Sequence, residues 1–183
     1  MLDVQTRNAL CLKEELRGTF VAKNLLSDLL TKEGLTHNLI RTPLDCHVDL
    51  WGTTWNNTTL QPYNFNVEIK QRYKNDYMLK RYPDCELRVD KLERMKAETK
   101  EGEGLFYIVF LNQSTAYIFD CNNIDWDTLQ KGIMDTSKFN VDPSSPRVLY
   151  EIYNIPTCYA SYTLDCSEYF KLYNITNNGN NNN

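Results

Sequence analysis

The sequence predicts an α/β protein with a central mixed β-sheet that is flanked by helices. Its N-terminal segment has apolar residues near helical spacing, and later segments show the alternation or the continuous apolar runs of strands. Tyrosine occurs 12 times and aromatic residues make up 12% of the chain, which favours a substantial sheet. The 183 residues suffice for one domain with a buried core.

The first half of the chain predicts a helix followed by three strands. In a helix at residues 8–31, one apolar face would carry Leu16, Phe20, Leu26 and Leu30. The strands are predicted at residues 38–40, 47–51 and 64–71, with residues 52–62 as a polar, turn-rich connection between the last two.

The second half predicts two helices and four strands. Residues 105–111 are the most apolar run in the chain and should form a central, buried strand. Residues 1–173 are assigned to one domain, and residues 174–183, mostly Asn, to a disordered tail. The remaining elements are predicted as helices at residues 89–97 and 124–134 and strands at residues 116–119, 148–153 and 159–164.

Composition limits the classes of function. The net charge of −4 disfavours binding of nucleic acid over the whole surface, so a nucleic-acid partner requires a local basic region. The six cysteines contain no Cys-x-x-Cys pair, and the two histidines lack ligand spacing with them, which disfavours structural zinc. With no secretory signal and no apolar run near the ~20 residues of a membrane span, we expect reduced, buried thiols in a cytoplasmic protein.

One constellation points to chemistry. Asp49 lies in an apolar strand, and the next strand carries Glu68, Ile69 and Lys70. Residues two apart in a strand point to the same face, so Glu68 and Lys70 share one. Antiparallel pairing of the two strands would bring both acids close together.

Two neighbouring carboxylates repel each other unless a cation lies between them. Mg²⁺ suits such a pair because it takes one or two carboxylates together with phosphate oxygens and water. The backbone carbonyl of Ile69 is a further candidate ligand. Lys70 could orient the attacking water or stabilise charge on a phosphate, so the set suits hydrolysis of a phosphodiester.

A purely structural reading is an exposed sheet face with a salt-bridged Glu and Lys. A second Glu-x-Lys triplet, residues 98–100, lies in a hydrophilic helix end and reads as such a solvated pair. The triplet at Glu68 differs by its strand context and by the aspartate on the preceding strand.

With these residues, the sequence resembles the PD-(D/E)xK nuclease superfamily. The match consists of Asp49 and residues 68–70, preceded by a long helix and followed by helix, strand and strand. Residues 17–26, 91–96 and 105–111 resemble the Holliday-junction-resolvase-like members. The resemblance spans residues 8–134. It implies a restriction-endonuclease-like αβββαβ core and Mg²⁺- or Mn²⁺-dependent cleavage of nucleic acid. DNA is the favoured substrate with RNA as the open alternative, and a homodimer also stays open.

The sequence departs from the family pattern at two places. Family members often carry a glutamate in the first helix a few residues after the glycine, where this chain has Val21, Ala22 and Lys23. Glu14 or Glu15, one turn earlier, is the candidate substitute, or both are solvated acids at a helix start. The family proline is not adjacent to Asp49, and Asp45 is a rival metal ligand or a turn cap.

A basic stretch begins at the proposed catalytic strand. Its cations suit a phosphate backbone and its tyrosines suit base stacking, although charge runs are often solvated faces. The residues predicted to bind nucleic acid are Arg72, Tyr73, Lys74, Lys80 and Arg81. Two alternatives to a nuclease stay open: a nucleic-acid-binding module of this fold without catalysis, and a protein-interaction or structural protein.

Overall fold

The computed structural model describes residues 4–43, 46–135 and 148–178. Its elements follow in the order α1 (Val4–Lys32), β1 (Leu35–Arg41), β2 (Leu50–Asn56), β3 (Pro62–Arg72), α2 (Asp76–Arg81), β4 (Cys85–Arg88), α3 (Val89–Glu98), β5 (Gly104–Leu111), β6 (Thr115–Asp120), β7 (Lys131–Asp135), β8 (Leu149–Ile155), β9 (Tyr162–Asp165) and α4 (Ser167–Asn178).

The main sheet has the strand order β1-β2-β3-β5-β6-β9. Strands β1, β2 and β3 pair antiparallel, whereas β3 and β5 pair parallel. A parallel pair needs a crossover, and here the crossover carries α2, β4 and α3. The predicted αβββαβ order and the mixed sheet with flanking helices are therefore confirmed.

Each face of the sheet has its own core, because strand side chains alternate between faces. On one face α1 and α4 cover a core that includes Leu25, Val67 and Phe170. On the other face α3 covers a core that includes Met95 and Tyr107. Leu16, expected on the apolar face of α1, is instead 39% exposed.

The second strand begins later than predicted. Residues 46–49 form a bend, and β2 runs from Leu50 through much of the predicted connection to Asn56. Asp49 therefore lies just before the strand rather than inside it. Trp51 is 43% exposed on the sheet face opposite α1, where it pairs with Ile40.

The predicted helix at residues 124–134 is wrong. Residues Trp126–Thr128 form a single 3-10 turn, and Lys131–Asp135 form β7 in a small sheet of order β4-β8-β7. Trp126 is buried against the ring of Tyr153, with centroids 5.1 Å apart. Pairing with β8 thus overrides the local helical pattern, as tertiary contacts commonly do.

Three elements were not predicted: α2, β4 and α4. Helix α4 continues to Asn178, so residues 174–178 of the expected tail are helical, while residues 179–183 lie outside the described part. Within the described residues no helix has the length and apolar content of a membrane span. Among the cysteines, Cys85, Cys121 and Cys166 are buried as expected, but Cys11 and Cys158 are exposed.

Candidate active site

Asp49 is held against the edge of β3 where pairing with β2 ends. Its backbone amide donates to the carbonyl of Val67 at 2.8 Å, and its Oδ2 accepts from the amide of Ile69 at 2.7 Å. Two contacts to one strand fix the carboxylate beside residues 67–69. The predicted closeness of Asp49 to the Glu68 triplet is found, although a bend rather than a strand provides it.

Glu68 is the most buried acid of the site, with 8% of the residue exposed. Burial, followed by the neighbouring Asp49 carboxylate, raises the pKa of Glu68 to about 8, and Lys91 opposes the rise. Burial also raises the pKa of Asp49, while its hydrogen bond from Ile69 acts in the other direction. The positive charge around the two acids therefore does not offset the effect of burial on their pKa values.

Lys91, in the first turn of α3, supplies the nearest cation. Its Nζ lies 3.0 Å from Oε2 of Glu68. The contact is an ion pair without hydrogen-bond geometry, and this buried Oε2 has no hydrogen-bond partner among the described residues. Sequence reasoning did not assign Lys91 to the site. The sequence feature that could have indicated Lys91 is a lysine in the first turn of a helix, where the helix dipole favours acids.

Lys70 points to the same face of β3 as Glu68 and is exposed at the mouth of the site. Desolvation, followed by the like charge of Arg72, lowers the pKa of Lys70. Solvent still reaches the side chain, so this effect comes from crowding by neighbouring groups rather than from full burial. No hydrogen bond or ion pair joins Lys70 to another residue in the described ranges, which leaves its ammonium available to a ligand.

The carbonyl of Ile69 points out of the paired region. In a strand the N–H and C=O of one residue point to the same edge. The Ile69 amide faces Asp49 on the β2 side, and β2 pairs with β3 only as far as Val67. The Ile69 carbonyl therefore faces the same open edge as Asp49.

Helix α1 forms one wall of the site. It approaches β3 closely because it has glycine at position 18, where a Cβ would lie 3.0 Å from Nε2 of Gln71. That amide donates to the carbonyl of Glu14. A cavity of about 500 Å³, the α1 cavity, is lined by Glu14, Glu15, Asp49, Glu68, Ile69 and Lys70, among others.

The two helix acids have partners of their own. Glu14 pairs with Arg17, and Glu15 pairs with Arg41 at 3.1 Å. The negative charge of Glu15 nevertheless raises the pKa of Asp49, which places it within electrostatic reach of the site. Asp45, the rival metal ligand, lies outside the described residues.

The donor set fits a hard divalent cation better than zinc. In the part of the chain that the structure describes, no cluster of three or more His, Cys, Asp or Glu side chains could hold a metal ion. What is present is the two carboxylates of Asp49 and Glu68 and one backbone carbonyl, and Oε2 of Glu68 has no hydrogen-bond partner among the described residues. Mg²⁺ is commonly held by one or two carboxylates with water completing its shell.

No protein-family model matches the sequence, and a search of curated proteins finds no match. Among solved structures the chain is similar to Hjc, a Holliday junction resolvase from the archaeal hyperthermophile Archaeoglobus fulgidus. The sequences are 15% identical and the TM-score is 0.38. The match covers 80% of this chain and 96% of Hjc.

The five residues predicted to bind nucleic acid have different partners in the structure. The ammonium of Lys74 donates to the carbonyls of Tyr82 and Asp84, both at 2.7 Å, so it fastens the α2 segment rather than facing solvent. Tyr73 is exposed and accepts from Arg17 at 2.5 Å. The other three differ in setting: Arg72 faces Glu86, Lys80 is exposed, and Arg81 packs over Tyr77 and Tyr82.

Proposed function

We propose that this protein is a metal-dependent nuclease that hydrolyses phosphodiester bonds, with Asp49, Glu68 and Lys70 as its catalytic residues. The observation that carries the proposal is the meeting of two carboxyl groups with raised pKa beside an unpaired lysine. A buried acid pair has no structural benefit of its own, since its repulsion and desolvation cost stability. Perturbed groups that converge on a cavity are typical of functional sites.

The proposed metal ligands are the carboxylates of Asp49 and Glu68 and the carbonyl of Ile69. Glu15 is a candidate for a further, water-mediated contact from α1, because it shares the α1 cavity with them. Bound Mg²⁺ or Mn²⁺ would polarise the phosphodiester and lower the pKa of a water molecule. DNA is the substrate expected from the family resemblance, with RNA as the comparison to test.

The roles of the protein groups follow from their positions. Ile69 orients the Asp49 carboxylate through its amide, which fixes the acid before substrate arrives. Lys70 extends from the same face as Glu68, so its ammonium can bond to a phosphate oxygen and stabilise the charge that develops during attack. Helix α1 lines the cavity that contains both acids.

The proposal is tested by cleavage of labelled single-stranded, duplex and branched DNA, and of RNA, in Mg²⁺, Mn²⁺ or EDTA. We expect cleavage with either metal ion and none in EDTA. Lys70→Ala should reduce the rate at least about 100-fold. Lys100→Ala is its matched control, because Lys100 ends the other Glu-x-Lys triplet, is exposed and does not line the α1 cavity. Full activity of a folded Lys70→Ala variant would refute the assignment.

A second candidate function is favoured by one contact. Because Lys91 already gives Glu68 a positive partner at 3.0 Å, the site could serve a binding module that needs no metal. Such a module would bind nucleic acid in a salt-dependent manner and cleave nothing with any divalent ion. Calorimetric titration with Mg²⁺ and Mn²⁺ separates the two functions, since only the nuclease requires metal binding that Asp49→Ala abolishes.

A further inference from the structure

A second depression, the α3 cleft, opens on the other side of the catalytic strand. It has a volume of about 370 Å³ and lies among β3, β4, the start of α3 and β8. Glu68, Lys70 and Lys91 line both this cleft and the α1 cavity. The proposed catalytic residues therefore stand where the two depressions meet.

The two depressions differ in charge. Among its described lining residues, the α3 cleft has five cationic and three acidic side chains, an excess of two positive charges in a chain of net charge −4. Beyond the residues that the two depressions share, the charged residues of the α1 cavity are all acids: Glu14, Glu15 and Asp49. The cations of the α3 cleft are Lys70, Arg72, Arg88, Lys91 and Arg94, and its acids are Glu68, Glu86 and Asp90.

Several of these cations are only weakly engaged. Arg72 reaches Glu86 at 3.7 Å, and its buried Nε has no hydrogen-bond partner among the described residues. Arg94 reaches Asp90 at 3.7 Å, and its side chain is 56% exposed. Unused N–H groups at these places give the cleft more donors than its own acids consume.

Arg88 is held in a fixed position. Its guanidinium bonds to both carboxylate oxygens of Asp90, and its face stacks on the ring of Tyr150, 3.5 Å from the centroid. Stacking and bidentate pairing leave little freedom to the side chain. The cleft thus has a held cation at one wall and two exposed ones, Lys70 and Arg94.

We propose that the α3 cleft binds backbone phosphates of the nucleic-acid substrate on one side of the bond that is cut. The inference rests on the proposed nuclease function and assigns the strand a path: phosphates lie along α3 and β4, and the acidic α1 cavity takes the divalent cation. The residues proposed to bind phosphate are therefore Arg72, Arg88, Lys91 and Arg94, instead of the stretch around Lys74 and Arg81 that the sequence predicted.

The test measures binding of fluorescently labelled single-stranded and duplex DNA in EDTA, where no cleavage occurs. Arg94→Ala should weaken binding of all sequences alike and reduce the slope of log K against log salt by about 1. Arg94→Lys should restore most of the affinity and most of the salt slope, since phosphate contacts depend mainly on charge. Lys100→Ala removes the same charge outside the cleft and should bind like the wild type.

Inorganic phosphate serves as the competing small anion. If millimolar phosphate saturates the cleft while DNA binds Arg94→Ala and the wild type equally, the cleft takes a free anion only and the proposal fails. Equal effects of Arg94→Ala and Lys100→Ala would also overturn it, because they would report net charge alone. If the wild type binds DNA but does not cleave it in Mg²⁺, the nuclease function is refuted, whereas the assignment of phosphate binding to the cleft is not.

Discussion

The backbone amide of Ile69 donates a 2.7 Å hydrogen bond to Oδ2 of Asp49. This contact joins the bend before β2 to the middle residue of the Glu68-Ile69-Lys70 triplet. The main chain of β3 therefore positions the Asp49 carboxylate. The contact depends on the register in which β2 pairs with β3.

The first prediction concerns Asp49→Asn. Asparagine keeps an oxygen acceptor for the Ile69 amide but removes the charge that a divalent cation needs. We expect cleavage to fall at least about 100-fold, with the stability in EDTA unchanged or higher because the repulsion with Glu68 is gone. Asp49→Ala, which also loses the hydrogen bond, should be less stable than Asp49→Asn by about 0.5–1.5 kcal/mol. Equal stability of the two variants in urea unfolding would contradict this role.

The second prediction concerns pH. The pKa of Glu68 is raised from 4.5 to about 8 in the folded protein, so the folded state binds more protons than the unfolded state between these values. The stability of the metal-free protein should therefore be greatest below about pH 4.5, as far as Glu68 contributes, and fall as the pH rises toward 8. Urea unfolding of wild type and Glu68→Gln in EDTA isolates this contribution, since the variant should lack it. A difference between the two proteins that does not change with pH would contradict the burial of an acid here.

The third prediction concerns Lys91→Met. Removal of the ammonium leaves Glu68 without its ion-pair partner. Above about pH 8, where the Glu68 carboxyl is ionised in the wild type, we expect Lys91→Met to lose about 1–3 kcal/mol of unfolding free energy in EDTA. The loss is below the roughly 3–5 kcal/mol of a broken buried pair, because Glu68 can take up a proton. Lys171→Met breaks an exposed pair with Glu168 and should leave the unfolding free energy nearly unchanged. If Mg²⁺ and the Lys91 ammonium occupy the same position beside Glu68, added Mg²⁺ should stabilise Lys91→Met more than wild type. An equal effect on both proteins would contradict this shared position.

The fourth prediction concerns the core beneath the site. Gly52 pairs with Phe65, whose ring fills the space where a side chain would be, with a Cβ placed 2.1 Å from the ring. Gly52→Ala should cost about 1–3 kcal/mol through overpacking, and Phe65→Leu should recover part of that loss in the double variant. Gly132→Ala is the matched control in another strand, because its Cβ would meet only an amide end at 3.2 Å.

The core of the site was predictable from sequence for a local reason. Period-2 alternation fixes Glu68 and Lys70 on one face without reference to the rest of the fold, and consecutive strands bring Asp49 close. Lys91 was not predictable, since its contact with Glu68 depends on how α3 packs on the sheet. The same distinction explains Lys74, whose two carbonyl partners follow helix α2, an element that the sequence did not predict.

The errors in the fold have a similar origin. Strands β4 and β7 belong to the small sheet, where both pair with β8, a strand later in the chain. Residues 124–134 have an apolar spacing that suits a helix, but Trp126 and Leu129 reach the same core from a 3-10 turn. The main sheet was easier to predict because its strands are longer and alternate clearly.

The parallel pairing of β3 with β5 has a consequence for the order of folding. Asp49 and Glu68 belong to the β1-β2-β3 meander, which closes short loops, whereas Lys91 arrives only when the long crossover has docked. During refolding the two acids therefore meet before the protein supplies its own cation. We expect amides of β2 and β3 to gain protection from hydrogen exchange earlier than those of α3, and divalent ions to speed that early step. Simultaneous protection of both regions would show that the crossover docks as the meander forms.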